Sequence, residues 1–186
     1  SPTTLLPPLH TLARTLHIRG HRVFATGRTT AEIDSELSTM GIETFTLDVT
    51  CEDSIKSAVA KVKELTDGRL DVLVNNAGVL QIKPFADTSP SEAKRVYEVN
   101  VFGVWAVTHA FLPLLLEAQG LVVAVSSISS VFCPPFIASY ASSKAAVEAM
   151  MRTMRRELAP LGVRTMVVKT GVVTTDMTSN SKAALP

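Results

Sequence analysis

The sequence predicts an α/β fold in which helices cover both faces of a doubly wound parallel sheet. Short runs of β-branched and apolar residues alternate with longer stretches of helical period. The short runs are continuously apolar, which is typical of strands buried on both faces. A length of 186 residues suits one domain with a sizeable core.

Five compact apolar runs have the composition expected of strands in such a sheet. They are Arg22–Ala25, Thr44–Leu47, Val72–Val74, Leu121–Val125 and Thr165–Val168.

Four helices are expected between these strands. The second follows a capping signal formed by Thr50 and Asp53. The two longer helices cover residues 92–118 and 140–161, and Gly162 ends the latter. The apolar stripes of the two shorter helices are Ile33, Leu37 and Met40, and then Ile55, Val59, Val62 and Leu65.

The N-terminal residues differ from the rest of the chain. Three prolines fall within the first nine residues, and proline lacks the amide donor that an interior strand needs. We therefore expect an irregular arm over residues 1–11, followed by a single domain over residues 12–186.

Composition excludes two classes of function. Hydrophobic residues make up 46%, charged residues 19%, and the net charge is +1, which argues against disorder and against nucleic-acid binding. The most apolar segment, Val101–Leu116, is shorter than the ~20 residues that span a bilayer, so no transmembrane segment is expected. Cys51 and Cys133 lack metal-ligand spacing, and we expect both in the core or a pocket wall.

Tyr140 and Lys144 lie four residues apart, so that on a helix both side chains point from one face. A phenol titrates near pH ~10 in water, and proton transfer at neutral pH needs a nearby positive charge that stabilises the phenolate. Lys144 supplies that charge. The pair predicts a proton-transferring group, although a tyrosine and a lysine on one helical face also arise by chance.

Polar residues at two strand ends favour a functional site over a chance pair. Ser127 ends one strand, and Asn75-Asn76-Ala77-Gly78 follows another. Ligands bind at the carboxyl ends of strands in open α/β sheets. We therefore expect the Ser127 hydroxyl to hold a substrate oxygen beside the phenol.

These motifs resemble the short-chain dehydrogenase/reductase family over roughly Leu12 to Met177. Segments around Gly20–Arg28 and Val99–Gly103 are similar to fungal NADPH-dependent 1-acyldihydroxyacetone-phosphate reductases and their secondary-metabolism relatives. The matching motifs are the family's NNAG at Asn75-Asn76-Ala77-Gly78, its catalytic asparagine at Asn100, its catalytic serine at Ser127, and its YxxxK at Tyr140 and Lys144.

The resemblance implies a Rossmann-like fold and a role for each catalytic residue. Tyr140 would exchange a proton with the carbonyl or alcohol, and Ser127 would orient and polarise that oxygen. Lys144 would lower the tyrosine pKa and hold the nicotinamide ribose, while Asn100 would position a water that links Lys144 to solvent. The cofactor would carry the hydride.

The resemblance also implies a cofactor site. Arg28 follows the first predicted strand with no acid before Glu32, and a cation there indicates the 2′-phosphate of NADP(H); the alternative is a solvated loop arginine. The Asp48 carboxylate would accept a hydrogen bond from the adenine amino group. The alternative is an acidic residue in a turn that leads into the next helix. The remaining expected cofactor contacts are Asn75, Ala77, Gly78, Tyr140, Lys144, Val173 and Thr175.

The chain departs from the family pattern at both ends. The glycine-rich turn that holds the pyrophosphate is not evident, and its last glycines would fall at about Pro7 and Leu9. The family's first strand is central in the sheet, so its loss would leave the Val23 and Val72 strands without a neighbour unless they pair directly. The last strand is also not evident. We therefore expect an incomplete sheet.

The resulting hypothesis is an NADP(H)-dependent oxidoreductase that interconverts a lipophilic ketone and a secondary alcohol, in lipid or secondary metabolism. The apolar segment 131–137 would form the pocket wall. The alternatives are a catalytically inactive, truncated remnant and an interaction module that uses the helices around Trp105 and Met151. The long helices also offer a surface for a homo-oligomer. The expected location is the cytoplasm, with peripheral attachment to the endoplasmic reticulum or lipid droplets as an option.

Overall fold

The computed structural model describes residues 8–29, 33 and 35–171. Helices and parallel strands alternate along them, which confirms the predicted α/β fold class. The helices are α1 (Pro8–Ile18), α2 (Ser35–Thr39), α3 (Glu52–Leu65), α4 (Pro90–Tyr97), α5 (Val104–Ala118), α6 (Ser129–Phe132) and α7 (Ala138–Leu158), and the strands are β1 (Phe24–Gly27), β2 (Glu43–Thr46), β3 (Val72–Asn75), β4 (Leu121–Ser127) and β5 (Arg164–Thr170).

The strands form two parallel sheets. In the first, β1 pairs with β2, and Phe24 lies opposite Glu43. In the second, β4 lies between β3 and β5; Leu121 lies opposite both Val72 and Arg164. The five strands fall within about two residues of the segments expected from the sequence.

No strand joins the two sheets within the part of the chain that the structure describes. Direct pairing of the Val23 and Val72 strands, which the sequence left open as the alternative to unpaired edges, does not occur among the described residues. One edge of β1 and one edge of β3 therefore lack a ladder partner among these residues, as the expected incomplete sheet implies.

One apolar core supports both sheets. Val122 and Ala124 of β4 are completely buried, and they pack with Leu115 of α5 and Met151 of α7. Phe24 of β1 packs against the same cluster. A second, small cluster lies between α1, α2 and the first sheet and consists of Ala13, Ala25, Leu37 and Ile42.

A continuous helical stretch, Pro90–Ala118, contains α4, a π-helix over Glu98–Gly103, and α5. This stretch is long enough to cross a membrane, and its most apolar 18-residue window has a mean hydropathy of 1.7, whereas the sequence marked out only Val101–Leu116, which is shorter than a span. Buried side chains of α5 such as Phe111 pack in the domain core. The length and hydropathy of the stretch are therefore also those of a helix that packs in a protein core.

Several local expectations need correction. Helix α1 begins at Pro8, inside the arm expected over residues 1–11, because proline is well tolerated at the first helical position. Cys51, rather than Thr50, is the N-cap residue of α3, since the Thr50 hydroxyl bonds to Asp48 instead. Cys51 and Cys133 are both exposed and therefore do not lie in the core.

Candidate active site

Four of the predicted site residues lie at or just beyond the carboxyl ends of strands. Arg28 follows β1, Asp48 follows β2, Asn75 ends β3 and Ser127 ends β4. A methyl group added at Gly103 would lie 2.6 Å from Val49, so the end of β2 contacts the π-helix that carries Asn100. The strand ends of both sheets therefore meet around this π-helix, where an open α/β sheet binds its ligands.

Tyr140 and Lys144 lie one turn apart on α7, as the sequence spacing predicted. The Lys144 Nζ lies 5.7 Å from the centre of the Tyr140 ring and donates a hydrogen bond of 2.8 Å to the Val125 carbonyl. Only 5% of Lys144 is exposed. This burial lowers the pKa of its ammonium to about 8.

Ser127 connects the end of β4 to the phenol. Burial raises the pKa of Tyr140, and a hydrogen bond with the Ser127 side chain acts in the opposite direction. The Ser127 Oγ also accepts a 3.2 Å bond from the backbone amide of Ser129, at the start of α6. The three groups predicted from separate parts of the sequence are therefore brought together.

Asn100 lies in the π-helix and is completely buried. Its Oδ1 accepts from the Val79 amide at 2.8 Å, and its Nδ2 donates to the Val79 carbonyl at 3.0 Å. The same Nδ2 donates to the Ser143 Oγ at 3.0 Å, between Tyr140 and Lys144 on α7. Asn100 thus joins the loop after β3 to α7. Single turns of π-helix are frequent at functional sites.

The loop after β3 packs closely against this centre. A methyl group added at Gly78 would lie 3.4 Å from both the Asn100 Oδ1 and the Lys144 Nζ. Ala77 beside it is exposed. Asn75 is buried, and its Nδ2 donates to the Thr108 Oγ1 of α5 at 3.0 Å. Gly78 and Ala77 therefore border the open site, whereas the Asn75 amide joins β3 to α5.

Asp48 and Arg28 lie on the side of the first sheet. The Thr50 hydroxyl and amide donate to the Asp48 Oδ1 at 2.7 and 2.9 Å. These bonds lower the pKa of Asp48, and the charge of Arg28 adds to the effect. Asp48 therefore forms the helix-leading turn that the sequence left open as an alternative. Val173 and Thr175 lie outside the described residues.

Sequence reasoning missed a buried carboxylate beside this site. Glu148 of α7 bonds to Ser126 and Ser130 on either side of Ser127, and to Lys169 of β5. One signal was available, because Glu148 is four residues after Lys144 and shares the buried face of α7. A charged residue on that face requires partners.

The donor set fits a nicotinamide cofactor. Lys144 and Tyr140 present an ammonium and a hydroxyl at the end of β4, and these groups suit ribose hydroxyls. Arg28 offers a cation near the end of β1, which suits a phosphate. A bound nicotinamide would supply or accept the hydride. Of the positions expected to replace the glycine-rich turn, Pro7 lies outside the described residues and Leu9 lies within α1.

Comparisons with known proteins agree with this geometry. The sequence model for short chain dehydrogenases matches residues 10–186. The chain is 41% identical over 173 residues to a short-chain dehydrogenase of Talaromyces islandicus, and the match covers 93% of this chain and 61% of that protein. It is 38% identical over 180 residues to the NADPH-dependent 1-acyldihydroxyacetone phosphate reductase of Schizosaccharomyces pombe, covering 94% of this chain and 60% of that protein.

A solved structure supports the same relationship. The alcohol dehydrogenase of Thermococcus sibiricus, complexed with 5-hydroxy-NADP, matches with a TM-score of 0.80 and 32% sequence identity. The match covers 89% of this chain and 72% of that chain. The chain spans about 60% of the length of the curated relatives described above.

Proposed function

Because the chain belongs to the short-chain dehydrogenase family of oxidoreductases, we propose that it is an NADP(H)-dependent enzyme acting on a lipophilic carbonyl or alcohol. Tyr140 is the proposed acid and base. The observation that carries the proposal is the meeting of Ser127, Tyr140 and Lys144 at the end of β4.

The proton chemistry follows from these three groups. In the reducing direction the Tyr140 hydroxyl gives its proton to the substrate oxygen, which the Ser127 hydroxyl also holds. The Lys144 ammonium stabilises the phenolate that forms. In the oxidising direction the phenolate takes the proton back. Asn100 would position a water through which Lys144 exchanges protons with solvent.

Arg28 supports a preference for NADP(H). It is exposed and follows β1 directly, and its charge lowers the pKa of the neighbouring Asp48. A guanidinium binds phosphate through paired hydrogen bonds. The Schizosaccharomyces pombe relative is NADPH-dependent by name, and the Thermococcus sibiricus enzyme was solved with an NADP derivative.

Exposed apolar side chains support a lipophilic substrate. Phe85 and Phe132 are 82% and 79% exposed, and Val131 and Phe136 are also exposed. The Lys83 amide donates to the Phe136 carbonyl at 2.7 Å, so the loops that carry these residues lie together. An exposed apolar patch of this kind is typical of a binding surface. It lies at the segment between Ser127 and Tyr140.

The first test measures cofactor binding by the 186-residue chain. NADPH is titrated while its fluorescence is followed, and we expect saturable micromolar binding. Arg28→Ala should weaken NADPH binding about tenfold or more, since one charge-assisted contact is lost, while NADH binding should change little. Equal losses for both cofactors would contradict the role of Arg28.

The second test measures turnover, in this chain and in a version extended to the relatives' length. Tyr140→Phe should abolish ketone reduction and leave NADPH binding intact, because only the proton donor is removed. Acyl, terpenoid and polyketide ketones should be better substrates than small polar sugars. Residual reduction by Tyr140→Phe would overturn the mechanism, and a preference for sugars would overturn the substrate class.

A second candidate is a catalytically inactive remnant of the fold. The unpaired edges of β1 and β3 among the described residues favour it, because the pyrophosphate would bind near the strand that is missing between them. Absence of NADPH binding by the folded chain would support this candidate. Saturable NADPH binding together with turnover that Tyr140→Phe abolishes would exclude it.

We also propose that the chain forms a homo-oligomer through its long helices. Phe102 of the π-helix and Trp105 of α5 are more than half exposed, and such apolar side chains are typical of an interface. A light-scattering mass equal to one chain would contradict this proposal. The proposed location is the cytoplasm, with peripheral attachment to the endoplasmic reticulum or lipid droplets.

A further inference from the structure

Glu148 makes a set of contacts that the proposed chemistry does not use. Its Oε1 accepts a 2.8 Å hydrogen bond from the Ser126 Oγ and a second, short bond from the Ser130 Oγ. Its Oε2 lies 2.9 Å from the Lys169 Nζ. Only 8% of Glu148 is exposed. Three donors from outside α7 therefore converge on one buried carboxylate.

These contacts lie on both sides of Ser127. Ser126 directly precedes it at the end of β4, and Ser130 follows it in α6. The Ser130 Oγ also lies 2.7 Å from the Ser127 carbonyl. The turn that carries the Ser127 hydroxyl is thus held before and after that residue by one side chain of α7, the helix that also carries Tyr140.

We propose that Glu148 is a positioning residue that holds the Ser127 hydroxyl within hydrogen-bond distance of the Tyr140 phenol. It does so by joining the β4–α6 turn to α7, so the serine and the phenol keep one relative position. The inference deepens the proposed function and rests on it for its catalytic meaning, whereas the geometric link between Glu148, Ser127 and Tyr140 can be tested without a substrate.

Charge and burial at Glu148 agree with this role. Burial would raise the pKa of Glu148, but hydrogen bonds from Ser130, Lys169 and Ser126 together lower it. The carboxylate is therefore ionised at neutral pH and accepts all three bonds. Charge-assisted hydrogen bonds are stronger than neutral ones, which suits a contact that fixes a turn.

The test follows the phenol itself. A Tyr97→Phe background leaves Tyr140 as the single tyrosine, because the sequence contains two, and the near-ultraviolet absorbance of the phenolate then reports the Tyr140 pKa. Glu148→Ala should raise this pKa by about one unit, because the bond from Ser127 that stabilises the phenolate is lost. Glu148→Gln should leave it near the parent value, since the amide oxygen still accepts from both serines.

A direct effect of the Glu148 charge on the phenol would shift the Tyr140 pKa in the opposite direction. Removing a negative charge stabilises the phenolate and lowers its pKa, and alanine and glutamine would then act alike. A rise with alanine alone therefore separates positioning from electrostatics. A fall, or no change, with Glu148→Ala would overturn the proposal.

A double-mutant cycle shows whether Glu148 acts through Ser127. Ser127→Ala should raise the Tyr140 pKa by about the same amount as Glu148→Ala, and the double variant should show no further rise. Additive shifts would overturn the inference. Glu157→Gln, an exposed carboxylate on the same helix, is the matched control and should leave the phenol unchanged. If Glu148→Ala fails to fold by near-ultraviolet circular dichroism, Ser130→Ala replaces it, with a smaller shift in the same direction.

Turnover separates this inference from the proposed function. In the version extended to the relatives' length, Glu148→Ala should lower kcat by about tenfold or more with a smaller change in KM, because a misplaced serine weakens transition-state contacts. Glu148→Gln should restore most of the rate. If Glu148→Ala and Ser127→Ala shift the Tyr140 pKa non-additively but no version of the protein turns over a substrate, only the proposed function is contradicted. If the protein turns over a substrate and Glu148→Ala changes neither the Tyr140 pKa nor kcat, only the positioning role is contradicted.

Discussion

At the scale of single residues, Lys144 stands out because its ammonium is buried and forms no ion pair with a carboxylate of the described residues. Its Nζ donates to the Val125 carbonyl, and burial lowers its pKa from 10.5 to about 8. A charged group held in this way destabilises the fold while it prepares the site for chemistry. Stability and function therefore oppose each other at this position.

Replacing Lys144 should stabilise the protein. The depressed pKa means that the folded state bears a penalty for the ammonium below pH ~8, and the penalty disappears as the pH rises from about 8 to about 10.5. A shift of this size corresponds to about 3 kcal/mol, and the lost bond to Val125 offsets about 1 kcal/mol. We expect Lys144→Met to raise the free energy of unfolding by about 2 kcal/mol at pH 7.

Chemical denaturation between pH 7 and 10.5 checks this expectation. The advantage of Lys144→Met should be constant below pH ~8 and shrink above it. Lys63→Met, which replaces an exposed lysine of α3, should show no such dependence. Equal stability of the parent and Lys144→Met at pH 7 would mean that the ammonium is not penalised.

Residue chemistry could be predicted from the sequence where a short spacing fixed the geometry. Four residues on a helix place Tyr140 beside Lys144 without any knowledge of the tertiary fold. The contacts of Glu148 could not be predicted, because they depend on how the end of β4 meets α7. The same holds for Asp48, whose two possible roles differ only in which neighbours its carboxylate contacts.

At the scale of elements, the π-helix over Glu98–Gly103 positions the groups around the candidate active site. It buries the Asn100 amide between the loop after β3 and α7. It also brings Gly103 against Val49, after β2. The sequence predicted one regular helix over residues 92–118, because a π turn inserts a residue without altering the apolar pattern enough to be visible.

Gly103→Ala should destabilise the protein at this contact. The added methyl carbon would lie 2.6 Å from the Val49 Cγ2 and 3.0 Å from its Cβ, so one of the two segments must shift. Overpacking of this kind costs about 1–3 kcal/mol. Chemical denaturation should show this loss, whereas Gly171→Ala, which meets open space, should be nearly neutral.

Val49→Ala provides the matching rescue. The Gly103→Ala/Val49→Ala variant should lose less stability than the sum of the two single variants, because the clash is relieved. Strict additivity of the two losses would show that Gly103 and Val49 do not limit each other's packing.

At the scale of the whole molecule, the division into two sheets has consequences for stability. The prediction of a missing central strand came from the prolines near the start of the chain and from the departure from the family pattern there. Whether the strands on either side would pair directly depended on long-range packing, which no local pattern encodes. In the described chain β4 has partners on both sides, whereas β1 and β2 pair only with each other.

The first sheet should therefore open more readily than the second. Its ladder has four residue pairs, and the cluster that covers it with α1 and α2 contains four buried residues. An isolated two-stranded unit is marginally stable. We expect its opening free energy to be about 3 kcal/mol lower than that of β4, so that its amides exchange ~100-fold faster.

Hydrogen exchange followed by mass spectrometry on peptides covering β1, β2 and β4 checks this difference. Equal protection of all three strands would mean that the two sheets unfold as one unit. NADPH adds a second comparison, because Arg28 and Asp48 lie within two residues of the ends of β1 and β2. If these residues hold the adenosine half of the cofactor, saturating NADPH should slow exchange most in β1 and β2 and least in β4, which is already protected. If NADPH slows exchange only in β4, the cofactor binds away from Arg28, and the proposed contact between Arg28 and its phosphate is contradicted.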